Sequence, residues 1–230
     1  MGTRMRLAVL PTQPMSNENH RLVRTVFKRA ELLNSSILAI EHSTYFAGGR
    51  SPVHAEVDSE EIIFFRRGHG QVLVGERYVD VQPGSAVAIP SGVKHHVVNT
   101  GQDVLDHILI SGDLSKVAPQ LNPLPAASGF VIAEKSFNLA RLACRKFEVA
   151  PGQESEAARF AGRETVYAIS GGFAVVHVGL ADGPYEWQYA MDASNCFWLP
   201  PGLPHRFRNV GHCSLSVLGF TCISGEAKAG

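Results

Sequence analysis

The sequence predicts an all-β chain built from two related antiparallel units of sandwich or barrel type, and three observations carry that expectation. Short runs rich in Val, Ile, Phe and Tyr recur at 61–65, 71–74, 86–89, 104–110, 165–169 and 213–222, separated by Gly, Pro, Asn and Asp. Short strands with frequent turns suit a sandwich or barrel. The halves also repeat one another. "EEIIFFRRGHG" from Glu60 lines up with "RETVYAISGGF" from Arg163, and "FKRAELLNS" from Phe27 with "FVIAEKSFN" from Phe130, both at an offset of 103 residues. "IPSGVKHHVVNTG" from Ile89 matches "LPPGLPHRFRNVG" from Leu199 at an offset of 110, which pairs His95 with His205 and Asn99 with Asn209. On this alignment Glu61 corresponds to Glu164 and Gly68 to Gly171. Finally, 230 residues accommodate one large domain or two small ones.

Taken in order, residues 1–26 read as an N-terminal extension. Within 18–33, Leu22, Val23, Val26, Phe27 and Ala30 would fit one face of a helix, but the repeat partner at 130–138 reads as strand. Strand is therefore expected from about residue 27, with 17–26 left open. The first unit spans 27–118. A linker at 119–129 follows, where "KVAPQLNPLPAASG" places three prolines in seven positions. The second unit spans 130–224 and a tail 225–230. The seven extra residues of the second half fall around "GLADGPYEWQYA", which reads as a longer hairpin loop.

Composition narrows the function classes. Apolar residues make up 45% of the chain and charged residues 18%, as in a soluble globular protein. Lys plus Arg equals Asp plus Glu at 21 each, and no basic run interleaves with aromatics, which argues against nucleic acid as a partner. Leu7 to Leu10 is too short for a secretory leader, and no segment approaches a membrane span. Cys144, Cys196, Cys213 and Cys222 lack C-x-x-C spacing and read as thiols of a reducing compartment. A cytoplasmic protein that contacts neither nucleic acid nor membrane is expected.

The stretch "SPVHAEVDSEEIIFFRRG" at 51–68 gathers one histidine and four acids at the mouth of an apolar strand. Gly48, His54, Glu61 and Gly68, followed by Gly84, Pro90, Gly92, His95 and Asn99, resemble the two conserved motifs of the cupin superfamily. The resemblance extends twice along the chain from about residue 27. It implies two tandem antiparallel cupin, jelly-roll-like barrels in one polypeptide, a bicupin. The departures from the family pattern are local. Glu56 stands where a second histidine is usual, and in the second half Ala157 and Arg159 fall at the two histidine positions while His205 remains.

Alternate strand residues share a face, so His54 and Glu56 point to one side. Glu61 opens the next strand with Ile63 and Phe65 on its face, and the turn through Pro90 and Gly92 brings in His95. Two buried carboxylates are costly unless protonated, paired or coordinated, and a divalent cation resolves the cost. One divalent transition metal per chain is thus expected in the first barrel, held by His54, Glu56, Glu61 and His95. Imidazole with carboxylate suits Fe, Mn, Ni, Co or Zn.

Glu56 is read as a ligand in preference to a general base, and Glu56 and Glu61 as the catalytic carboxylates. Asp58 and Glu60 are expected on the rim or outside, His96 toward the surface, and His107 in or near the core. In the second barrel Arg159 is expected to reach Glu164 and supply the charge a metal would supply, with Arg159, Glu164 and His205 the remnant of a site that binds no metal. The function that follows is a metal-dependent enzyme acting on a small organic molecule, leaning slightly to Fe(II)-type dioxygenase chemistry because the ligand types suit Fe(II). The alternatives are a non-redox isomerase, cyclase or lyase, and a non-catalytic metabolite-binding protein. The resemblance also implies a homodimer.

Overall fold

The computed structural model describes residues 5–10, 15–32, 35–115, 137–139, 141–179 and 185–223. Its strand pairs are all antiparallel and fall into two halves, each a six-stranded sheet facing a three-stranded one. In the first half the larger sheet contains β2 (Met15–Glu18), β3 (Arg21–Lys28), β4 (Ile37–Tyr45), β10 (Leu105–Asp113), β5 (Ser59–Arg67) and β8 (Ala86–Ile89), in that spatial order. The smaller sheet is β7 (Arg77–Val81), β6 (Gly70–Val74) and β9 (His95–Val98). In the second half the larger sheet is β1 (Arg6–Val9), β16 (Asn195–Leu199), β13 (Arg163–Gly171), β18 (Leu215–Ile223), β12 (Leu142–Val149) and β11 (Phe137–Asn138). The smaller is β15 (Tyr185–Met191), β14 (Ala174–Gly179) and β17 (His205–Asn209). No helix among the described residues is long and apolar enough to cross a membrane.

The run of Ile62 to Phe65 has no polar alternation because both faces of β5 are covered. Ile63 and Phe65 point into the first barrel beside Val72, Val87 and Val97. Ile62 and Phe64 point the other way, into a shared core with Val166, Ala168, Trp198 and Phe220 of the second barrel. β13 is built alike, with Tyr167 and Ile169 facing its own barrel. The two large sheets therefore pack against each other, and Cys144, Cys196 and Cys222 are buried in that shared core while Cys213 is exposed.

Residues 1–26 are not an extension, since they contribute strands to both barrels. β1 pairs with β16 of the second half, with Leu7 opposite Phe197, and Ala8 and Leu10 enter the shared core. The boundary at residue 27 falls inside β3. The helix-compatible spacing there arises from a register shift between Thr25 and Phe27, which buries the neighbours Val26 and Phe27 together. The expected linker at 119–129, the start of the second unit at 130 and the tail lie outside the described residues.

Two buried acids clasp the barrels. Glu60, 2% exposed, accepts backbone N–H bonds from Arg141 and Leu142, each 2.6 Å. Glu164, 1% exposed, accepts from Ser36 N–H at 2.6 Å, Ser35 Oγ at 2.6 Å and Trp198 Nε1 at 2.8 Å. Glu60 is therefore not a rim residue. Glu164 does not face Arg159 either, because its strand phase turns it out of the second barrel and onto the first.

Gly68 closes the turn after β5 at φ +81°, and a Cβ there would stand 2.3 Å from the Val104 carbonyl oxygen. Its counterpart is Gly172, at φ +90° against Leu215, rather than Gly171. Gly68→Ala should destabilise the chain by about 2–4 kcal/mol through backbone strain plus this overlap. A urea-unfolding midpoint that does not move would contradict it.

Candidate metal centre

The first barrel encloses a cavity of about 470 Å³ lined in part by Arg21, Glu41, Tyr45, His54, Glu56, Glu61, His95 and His107. The segment carrying His54 lies beside β9 through reciprocal backbone bonds, His54 N to His95 O at 3.2 Å and His95 N to His54 O at 2.8 Å. Each imidazole then turns the same way. Nδ1 of His54 donates to Pro52 O and Nδ1 of His95 to Val93 O, both 3.0 Å, which leaves each Nε2 with its lone pair.

One ligand atom from each of His54, Glu61 and His95 lies within 4.8 Å of the others. His95 Nε2 and Glu61 Oε2 stand 3.0 Å apart, yet both are buried and neither has a hydrogen-bond partner of acceptable alignment. Two orphaned acceptors converging on one point fit a cation. This donor set suits a divalent transition metal with open coordination positions. Burial works against protonation of His95, but Glu61, the Val93 carbonyl and Glu56 outweigh it and hold the imidazole above its usual pKa.

Glu56 lines the same cavity on an exposed stretch, but its carboxylate lies outside this cluster. The structure brings together three of the four expected ligands. Gly92 N donates to the Glu56 carbonyl at 2.7 Å, so Glu56 is anchored at the rim by its backbone. Asp58 is exposed, as expected. His96 faces away from His95 but is buried, with its Nε2 3.0 Å from the Tyr78 hydroxyl. His107 is fully enclosed in the first barrel, 3.3 Å from the Tyr45 hydroxyl, and burial pushes its pKa down to about 3. It is a neutral hydrogen-bonding group.

Sequence reasoning passed over two residues. Arg21 comes from the segment read as an extension. It reaches the cavity over the Tyr45 ring, with Cζ 5.5 Å from the centroid, and its buried Nε has no partner. Glu41 lies on β4, and burial raises its pKa despite the opposing charge of Arg21. The alternation of Ala39, Glu41 and Ser43 was the available signal for an inward face of β4.

In the second barrel the matching positions are offset by one from the sequence alignment. Ala158 bridges His205 as His54 bridges His95. Gly202 N bonds Phe160 O as Gly92 N bonds Glu56 O. Thr165 lies opposite Leu199 as Glu61 lies opposite Ile89. The positions of His54, Glu56 and Glu61 are thus taken by Ala158, Phe160 and Thr165. Glu164 answers to Glu60. Of the expected remnant, Arg159 and His205 line the second barrel's cavity, while the hydrogen bonds of Glu164 run to Ser35, Ser36 and Trp198. The later motif keeps its offset: Asn99 and Asn209 each brace a loop, donating to Tyr45 O and Asp103 O and to Val149 O and Cys213 O respectively.

Fold and site together define a two-barrel protein with a candidate metal site, and the comparisons name the architecture. The sequence model of the cupin domain matches residues 42–110, the body of the first barrel. Oxalate decarboxylase from Bacillus subtilis superposes with a TM-score of 0.76 at 14% identity, over 97% of this chain and 77% of that one. The formate complex of oxalate decarboxylase from Lactobacillus farciminis gives 0.73 at 14% identity, over 95% and 86%. A further structure of the Bacillus subtilis enzyme, described for its Mn(II) centres, gives 0.73 at 14% identity over 99% and 79%. The first barrel is a cupin domain and the whole chain has the bicupin fold. No curated protein matches the sequence significantly.

Proposed function

We propose that this chain is a metal-dependent bicupin lyase of small carboxylates, with its working centre in the first barrel at His54, Glu61 and His95. The observation that carries the proposal is the buried, unpartnered pair His95 Nε2 and Glu61 Oε2 opening onto a cavity that also holds Arg21. A divalent ion bound there would polarise a substrate oxygen as a Lewis acid. Manganese is the first ion to try, given the Mn(II) centres of the structurally similar oxalate decarboxylase.

The chain's own groups suit a carboxylate. Arg21 offers a buried guanidinium N–H to a carboxylate oxygen, and Tyr45 beneath it fixes the plane of the fork. Glu41, whose pKa burial raises, is the carboxyl best suited to hold a proton and deliver it to a carbanionic carbon. Glu56 at the rim is placed to pass protons between the cavity and solvent. Ile63, Val97 and Leu109 exclude water. The lean to dioxygenase chemistry finds no support in the structural neighbours, which are decarboxylases.

The test is turnover of short mono- and dicarboxylates, oxalate included, by Mn(II)-loaded chain in air-equilibrated buffer, followed as CO₂ release beside an oxygen electrode. Turnover without oxygen uptake is expected. In Arg21→Gln, KM should rise about tenfold or more with a smaller change in kcat, the loss of one charge-assisted contact. Stoichiometric oxygen uptake would restore the dioxygenase reading. Metal bound without turnover of any acid would leave a binding protein.

A further inference from the structure

We propose that the second barrel is a metal-free binding site for a small aromatic carboxylate, distinct from the centre in the first barrel. Its cavity, about 580 Å³, is larger than the first barrel's, although the metal donors have gone. A barrel kept only as scaffold would be filled by apolar side chains to interior density. This one is instead rebuilt around another chemistry.

At one position the charge is reversed, and at the others the metal donors give way to neutral side chains. Where β4 presents Glu41 opposite Leu109, β12 presents Arg145 opposite Gly219. Where the first barrel has His54 and Glu61, the second has Ala158 and Thr165, with Thr221 paired across from Thr165. An acidic metal cradle has become hydroxyls beneath a guanidinium. The remaining histidine is committed elsewhere. His205 Nδ1 donates to Leu203 O at 2.9 Å, so its Nε2 must accept, and it does so from the Tyr167 hydroxyl at 2.5 Å. That lone pair is not available to a metal.

The wall suits a flat ring. Phe207 lies 4.7 Å from Tyr167 and 5.6 Å from Phe147 between centroids, both edge-to-face, and the Arg145 guanidinium sits 5.6 Å over Phe147. Gly219 makes the arrangement fit, since a Cβ there would stand 2.8 Å from Tyr167 Cε1. Of the lining acids, Glu154 pairs with Arg206 at 2.8 Å and Glu148 accepts from Ser214 Oγ at 3.2 Å, while Glu156 and a second cation, Arg159, line the cavity from an exposed stretch. A ligand carboxylate on Arg145, with its ring against Phe147 and Phe207, matches this cation and these aromatic faces.

Benzoate is the probe, titrated calorimetrically into the full metal-loaded chain carrying Arg21→Gln, which removes the carboxylate anchor of the first barrel. One benzoate per chain is expected at millimolar concentration or below. Adding Arg145→Gln, an exposed position that leaves the fold intact, should weaken binding by at least about tenfold, and benzamide should bind as weakly as benzoate does to that variant. No benzoate binding, binding indifferent to Arg145→Gln, or equal affinity for benzamide would each overturn the proposal. So would a second equivalent of metal per chain retained in His54→Ala, because it would put an ion in the second barrel.

Discussion

Glu61→Gln is expected to strip the first barrel of its metal, weakening affinity by at least about a hundredfold, or ~2.7 kcal/mol, and to abolish turnover with it. The substitution is isosteric, so the variant should keep the melting temperature of the metal-free wild type. What it removes is the only carboxylate in the cluster with His54 and His95. Elemental analysis of purified variant beside wild type reads the result directly. Glu56→Gln provides the contrast, because its carboxylate lies outside the cluster and metal should be retained. Equal metal loss in both would return Glu56 to the ligand set. The raised pKa of His95 adds a pH dependence with a defined sign. Below that pKa a proton occupies Nε2, so metal uptake must displace it and should weaken as the pH falls through that range.

The second large effect lies outside both cavities, on the faces where the two barrels meet. Glu164→Leu should cost roughly 3–5 kcal/mol, because Ser36 N–H and Trp198 Nε1–H are left buried without an acceptor and the Ser35 hydroxyl loses its partner. For a chain of this size that corresponds to a fall of about 10–15 °C in Tm by scanning calorimetry. Glu60→Leu should behave alike, since it frees the backbone N–H groups of Arg141 and Leu142. A change below about 2 °C in both would show that the clasp carries little stability. Arg159→Ala, by contrast, gains no destabilising effect from Glu164, whose partners lie in the first barrel and at Trp198.

The fold and the three-residue cluster were legible because two signals agreed. The turns through Gly68, Pro90 and Gly92 kept their spacing, and His54, Glu61 and His95 offer donors that a divalent cation would reconcile in an apolar barrel. The failures have a common cause in strand phase. Glu60 and Glu61 are chemically identical neighbours, yet one faces the other barrel and the other faces the cavity, and matching Glu61 to Glu164 by residue type moved the second site by one position. A shift of one residue exchanges the two faces of a strand. Arg21 was hidden for a different reason. The bulge between Thr25 and Phe27 broke the alternation of β3, so the strand and the inward direction of its arginine could not be read from periodicity.

The placement of β1 has a consequence for biosynthesis. β1 finds its partner, β16, only after nearly two hundred further residues have been made. The first barrel can close around its own strands in the meantime, as N-terminal units generally do during translation. The second cannot cover the outer edge of its large sheet until that early segment, held in reserve beside a finished neighbour, folds back onto β16. Until then the edge is open to strands from other chains, so the last step of folding here is also its most exposed to aggregation.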